Sequence, residues 1–130
     1  MSNVVFFSFK ELDRETVLTI KGRAVNIHYH NLNFRVRDLL KRWKTESSPM
    51  IRAAISTKLK GTSRTIVFVG EETHKSYWVP QEVEMTLEKG KPVYAIRLKG
   101  TNGKIPQCLT DNNIHVYAWS ETTLQSLATK

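Results

Sequence analysis

The chain has little of what marks several large protein classes. A single cysteine, Cys108, stands among 130 residues. No internal disulfide framework and no cysteine-only metal site can be built from it, and a reducing compartment, the cytoplasm, is the expectation. No apolar run approaches the roughly 20 residues that a membrane helix needs. The apolar stretch Val4–Phe9 is too short for a secretory signal and has no basic residue before it. The glycines and prolines nowhere cluster into a linker, and there is no repeat or low-complexity run, so one domain over residues 1–130 is expected.

Familiar catalytic signatures are missing as well. There is no G-x-S-x-G elbow, no G-x-x-x-x-G-K-[ST] loop and no G-x-G-x-x-G fingerprint. Gly100-Thr101-Asn102-Gly103-Lys104 is too short for a phosphate loop and reads as a turn. Of the four scattered histidines, His28 and His30 have the spacing to share one strand face, but no third ligand stands at metal spacing, and no metal is expected. Cys108 has no base beside it in sequence and reads as a bystander thiol.

What is present is an ordinary soluble composition, 40% hydrophobic and 25% charged, in a chain long enough for a sizeable core. The net charge of +8 is unevenly spread. Residues 1–65 carry 13 Lys/Arg against 5 Asp/Glu, and residues 66–130 carry 7 against 7. A basic first half suits a phosphate-rich partner, nucleotide or nucleic acid, or is simply a solvated basic surface.

Four segments read as strands: Asn3–Phe9, Thr65–Val69, Pro92–Leu98 and Ile114–Trp119. The first two are almost continuously apolar, as strands covered on both faces are. Between them lie helical patterns. Phe34–Lys44 places Val36, Leu39, Leu40 and Trp43 on one stripe and five basic residues elsewhere, which predicts a basic amphipathic helix. Ile51, Ile55 and Leu59 recur every four residues before Gly61, and Val79, Val83 and Leu87 before Gly90. Ser120 is placed to cap a last helix over Glu121–Ala128. Residues 14–33 are ambiguous between helix and an extra edge strand. The alternation predicts an α/β sandwich around a mainly parallel sheet of four or five strands.

In such a sheet ligands bind beyond the carboxyl ends of the strands. After the second strand comes Ser76-Tyr77-Trp78-Val79-Pro80-Gln81-Glu82. Pro80 belongs in the first turn of a helix, which therefore starts near Tyr77. Trp78 and Glu82, four apart, share a stripe beside the core stripe of Val79 and Val83. That puts them at the edge between core and solvent, where periodicity alone makes Glu82 a solvated helix glutamate.

These segments resemble a TIR domain. Val5-Phe6-Phe7-Ser8-Phe9-Lys10-Glu11-Leu12-Asp13-Arg14 resembles the first TIR box, an apolar strand followed by Ser-Phe-basic and then Asp. Ser76-x-Trp78-x-x-x-Glu82 resembles the second signature, in which Ser-x-Trp leads into a helix carrying the catalytic glutamate. Residues 55–99 are similar to the TIR-like branch that includes the bacterial Thoeris anti-phage proteins. Two departures stand out. Glu11 occupies a position where many members have Gly, and residues 14–54 do not show the Gly/Pro loop and second strand of animal and plant members.

The resemblance implies a flavodoxin-like three-layer fold and, as in many bacterial and plant members, cleavage of the nicotinamide–ribose bond of NAD+. It yields ADP-ribose or a cyclic ADP-ribose-type messenger sensed by a separate effector protein, and Thoeris members make the messenger. It implies Glu82 as the catalytic residue, with Phe7, Ser8, Phe9, Lys10, Asp13, Ser76 and Trp78 binding the substrate. Asp13 reads equally as a helix N-cap, and Ser76 as a cap. NAD+ is then the substrate, with no cofactor and no metal. Partners are further copies of the chain through TIR–TIR contacts, with no membrane. The alternative is a non-enzymatic TIR module acting by self-association. Nucleic-acid binding through the Phe34–Lys44 stripe is disfavoured, because Phe34 and Trp43 lie on its apolar side.

Overall fold

The computed structural model describes residues 4–38 and 48–130. Strands β1 (Val4–Ser8), β2 (Arg35–Asp38), β3 (Arg64–Val69), β4 (Val93–Arg97) and β5 (Val116–Tyr117) form one sheet in the order β2-β1-β3-β4-β5. Every neighbouring pair is parallel. Helices α1 (Arg14–Val25), α2 (Ser48–Leu59), α3 (Trp78–Glu88), α4 (Gln107–Asp111) and α5 (Glu121–Thr129) cover both faces.

The continuous apolar runs of β1 and β3 follow from this double covering. Alternation along each strand sorts the side chains into two layers. Val5, Phe7, Ile66, Phe68, Ile96 and Leu98 pack with α1 and α5. Phe6, Val67, Val69, Val93 and Ala95 pack with α2, α3 and α4. The glycine stops read from the sequence are realised: Gly61 and Gly90 follow α2 and α3 at φ +78 and +73, where a side chain is disfavoured. Ser120 caps α5 as expected, its Oγ accepting the Thr123 N–H at 3.3 Å. The last strand is shorter than its apolar run, with only Val116 and Tyr117 laddered to β4.

Two expectations are corrected. The ambiguous stretch from residue 14 is the helix α1 as far as Val25, with Val17, Ile20 and Ala24 buried. The amphipathic helix predicted over Phe34–Lys44 does not exist at its start. Arg35–Asp38 is instead a strand laddered to β1 with Val4 opposite Arg35 and Phe7 opposite Asp38, and residues 39–44 lie outside the described residues. The second strand of the TIR pattern is therefore present, although no apolar run announces it. Pairing overrides the helical periodicity because Val36 packs on the α1 layer, while Lys21 reaches the buried Asp38 carboxylate at 2.9 Å. The basic helical stripe considered for nucleic acid loses its first turn with this change.

Candidate active site

The sheet order reverses between β1 and β3, since the chain goes from β1 outward to β2 and then back across to β3. A crevice at the carboxyl ends of these two strands is where open α/β sheets bind ligands. Ser8 is the last residue of β1, and alternation turns it toward α3, on the same side as Phe6. Its Oγ donates to Oε1 of Glu82 at 2.7 Å, across 74 residues of chain. Both residues are fully buried.

The start of α3 fixes where Glu82 falls. Ser76 Oγ accepts the N–H of Val79 at 3.1 Å, so Ser76 does serve as a cap, and Pro80 sits in the first turn without losing a helical bond. Val79 and Val83 fill the core beneath. One turn on, the Thr86 hydroxyl donates to the Glu82 carbonyl at 2.7 Å. Its single proton is thereby used, so Thr65 on β3 is the donor in the 2.7 Å contact between the two threonine hydroxyls. Backbone and side chain of Glu82 are thus tied to β3 and β1 respectively.

Trp78 and Glu82 do not lie at the edge between core and solvent. Trp78 is 8% exposed and Glu82 0%. The reason is α2: Ile51, Ile55 and Leu59 close over the stripe and pack with Trp78, Phe6 and Met85. Helical periodicity gives the angle of a stripe but not what a neighbouring helix covers. It also misplaces Leu87, which is exposed, in favour of Met85 and Thr86.

The remaining site residues divide. Phe7 and Phe9 are buried on the opposite face of the sheet, Phe7 packing edge-on against Phe68 and Phe34 with ring centroids 4.6 and 6.0 Å away. Phe6, not Phe7, shares a layer with Ser8 and Trp78, and the period of two along the strand was the signal for it. Lys10 and Asp13 lie in the loop after β1. Asp13 occupies the N-cap position of α1 but makes no capping bond. Its carboxyl is instead pressed onto Gly70 at the end of β3, where a Cβ would overlap both carboxylate oxygens. Asp13 Oδ2 is buried with no hydrogen-bond partner among the described residues. Burial foremost, with Glu71 and Glu72 adding to it against the opposing pull of Lys10, raises the Asp13 carboxyl above its ordinary range.

Two features of this rim carry no local signal in the sequence. Thr73 is buried, and its Oγ1 accepts the Gly70 N–H at 2.7 Å, holding the β3 loop in the bend that admits Asp13. Gly103 packs so closely on the carbonyls of Gly70 and Glu71 that no side chain fits there. The loops after β1, β3 and β4 therefore form one stacked rim. Among the described residues no group of three or more His, Cys, Asp or Glu is placed to hold a metal ion.

A parallel sheet of the order β2-β1-β3-β4-β5 with helices on both faces is a flavodoxin-like fold. The solved TIR domain of the Toll-related receptor TRR-2 from Hydra magnipapillata shares the fold, with a TM-score of 0.59 at 16% identity over 95% of this chain and 89% of that one. The TIR domains of the activated Roq1 resistosome, which directly recognises the pathogen effector XopQ, align at a TM-score of 0.48 and 14% identity over 97% of this chain and 69% of that one. No curated protein sequence matches the chain. The family profile of the Thoeris protein ThsB, TIR-like domain, matches residues 6–103, and the chain belongs to that family.

Proposed function

We propose that this domain cleaves the nicotinamide–ribose bond of NAD+ and that Glu82 is its catalytic residue. The observation that carries the reading is the 2.7 Å bond between Ser8 and Glu82, which joins the two TIR signatures at the sheet's switch point. The chemistry suits a lone carboxylate. When the C1′–N bond breaks, its electron pair goes to the pyridine nitrogen. Nicotinamide, cationic in NAD+, leaves neutral, so the general acid of a glycosidase is not needed. The ribose becomes an oxocarbenium-like cation, and a carboxylate held in a low-dielectric setting stabilises that charge as it grows. Water then captures C1′ to give ADP-ribose, or a nucleophile within the same molecule captures it to give a cyclic product, the outcome in keeping with Thoeris-type membership. Because the Glu82 carboxyl is covered here, ribose hydroxyls must replace the Ser8 donor when substrate enters. Trp78 would wall the site, and Lys10 would face the diphosphate. Assembly through TIR–TIR contacts, a separate effector that senses the product, and a cytoplasmic setting belong to the same reading. Among the described residues no helix is long and apolar enough to cross a membrane.

Full burial of Glu82 also favours a second reading, in which the pair only braces α3 and the domain acts by self-association. Incubation with NAD+, under conditions that include self-assembly, and chromatography of the products separates the two. Glu82→Gln retains an acceptor for Ser8 and keeps the fold, but nicotinamide release is expected to fall by at least about a hundredfold, as for loss of one preorganised electrostatic group. A folded Glu82→Gln protein that turns over NAD+ like the parent overturns the catalytic assignment.

A further inference from the structure

A concavity of about 290 Å³ opens on the other face of the sheet from Glu82, between α1 and the chain leaving β4 and β5. Its floor is apolar: Ile20 and Leu98 are 2% and 3% exposed. One wall is the indole of Trp119, half-buried and seated on the core. The rim is cationic, formed by Arg23 and Lys99, with the hydroxyls of Thr16 and Thr19 beside them on the same face of α1.

Of the two cations, Arg23 is partly engaged and Lys99 is open to a ligand. Arg23 uses its Nε edge on Glu121, 3.2 Å away, and stacks 5.8 Å from the Tyr29 ring. Glu121 is in turn held by the Tyr29 hydroxyl, so it is occupied from the far side. Lys99 is exposed and meets no acidic partner among the described residues. A flat aromatic wall, an apolar floor and a positive rim match a planar ring that carries an anionic group. Arg and Lys meet phosphate, and an indole stacks on any base. The volume lies at the small end of ligand pockets, about 300 Å³, which suits one nucleotide rather than two.

We infer that this cavity is a nucleoside-monophosphate site, separate from the Glu82 region. The inference stands on the cavity alone and does not depend on the catalytic assignment. Titration calorimetry of the intact chain with adenosine 5′-monophosphate tests it. Saturable binding is expected, with adenosine and ribose 5-phosphate each at least tenfold weaker. Lys99→Gln, a surface change that leaves the core intact, and Trp119→Leu are each expected to weaken binding at least fivefold, whereas Glu82→Gln leaves it unchanged. Absence of binding at millimolar ligand overturns the site. So does ribose 5-phosphate matching the nucleotide, or folded Lys99→Gln and Trp119→Leu proteins binding like the parent. Loss of binding on Glu82→Gln alone would move the nucleotide to the other face and equally overturn it.

Discussion

The Ser8–Glu82 contact is a bond whose strength a double-mutant cycle measures directly. Removing one partner of a buried hydrogen bond costs about 1–3 kcal/mol, because the group left behind keeps its desolvation penalty without the bond. Ser8→Ala removes one hydroxyl at a position with no exposure. It should therefore lower unfolding free energy by roughly 2 kcal/mol, or about 5–10 °C in Tm for a domain of this size. Glu82→Ala costs more, since it also opens a cavity beneath α2 and removes contacts of Glu82 beyond Ser8. The single variants thus overstate the pair. In the double variant, the part of each loss that belongs to the shared bond is counted once, so the coupling energy should emerge at about 1–3 kcal/mol.

Denaturant unfolding of the four proteins, with unchanged m-values as the check on two-state behaviour, gives the numbers. If Ser8→Ala stays within about 0.5 kcal/mol of the parent and the cycle closes additively, the two groups are not energetically joined. The sheet's switch point would then not be what positions the glutamate, whatever the activity of the domain.

Asp13→Asn should stabilise the domain near neutral pH. The raised Asp13 carboxyl means that the folded state holds this proton more tightly than the unfolded chain does. Its ionisation therefore costs stability as pH rises from the ordinary carboxylate value of 3.8 through the raised folded value, and the cost then stays constant. The gain in Tm from Asp13→Asn should accordingly be full at pH 7 and vanish below about pH 3.5, and a gain independent of pH would refute it. Gly70→Ala drives a methyl group into the Asp13 carboxylate and should destabilise by about 1–3 kcal/mol. Adding Asp13→Ala to Gly70→Ala should recover most of that loss in thermal unfolding, and no recovery would show that the backbone, not Asp13, is what the methyl group meets.

The parts of this structure that sequence disclosed are those where local pattern and global environment agree. β1 and β3 are apolar throughout because both faces are covered, and α3 could be started at its proline and stopped at its glycine. β2 was hidden for the opposite reason. At the sheet edge only Val36 faces the core, Asp38 is buried through its pairing with Lys21, Arg35 is exposed and Arg37 is half-buried on the carbonyls of Lys58 and Lys60, so four residues carry one apolar signal between them. The spacing of Val36 with Leu39, Leu40 and Trp43 then imitates a helix. The site divides along the same line. Glu82, Trp78 and Ser76 were legible because they lie within two helical turns of each other along the chain and carry a family pattern. The Ser8–Glu82 bond and the Asp13–Gly70 contact join residues 74 and 57 positions apart, and no periodicity reports such distances. What sequence could have supplied is the parity of β1. A serine that must face α3 places Phe6 on the site side and Phe7 on the far side, and this constraint, applied first, confines the aromatic wall of the Glu82 region to Phe6 and Trp78.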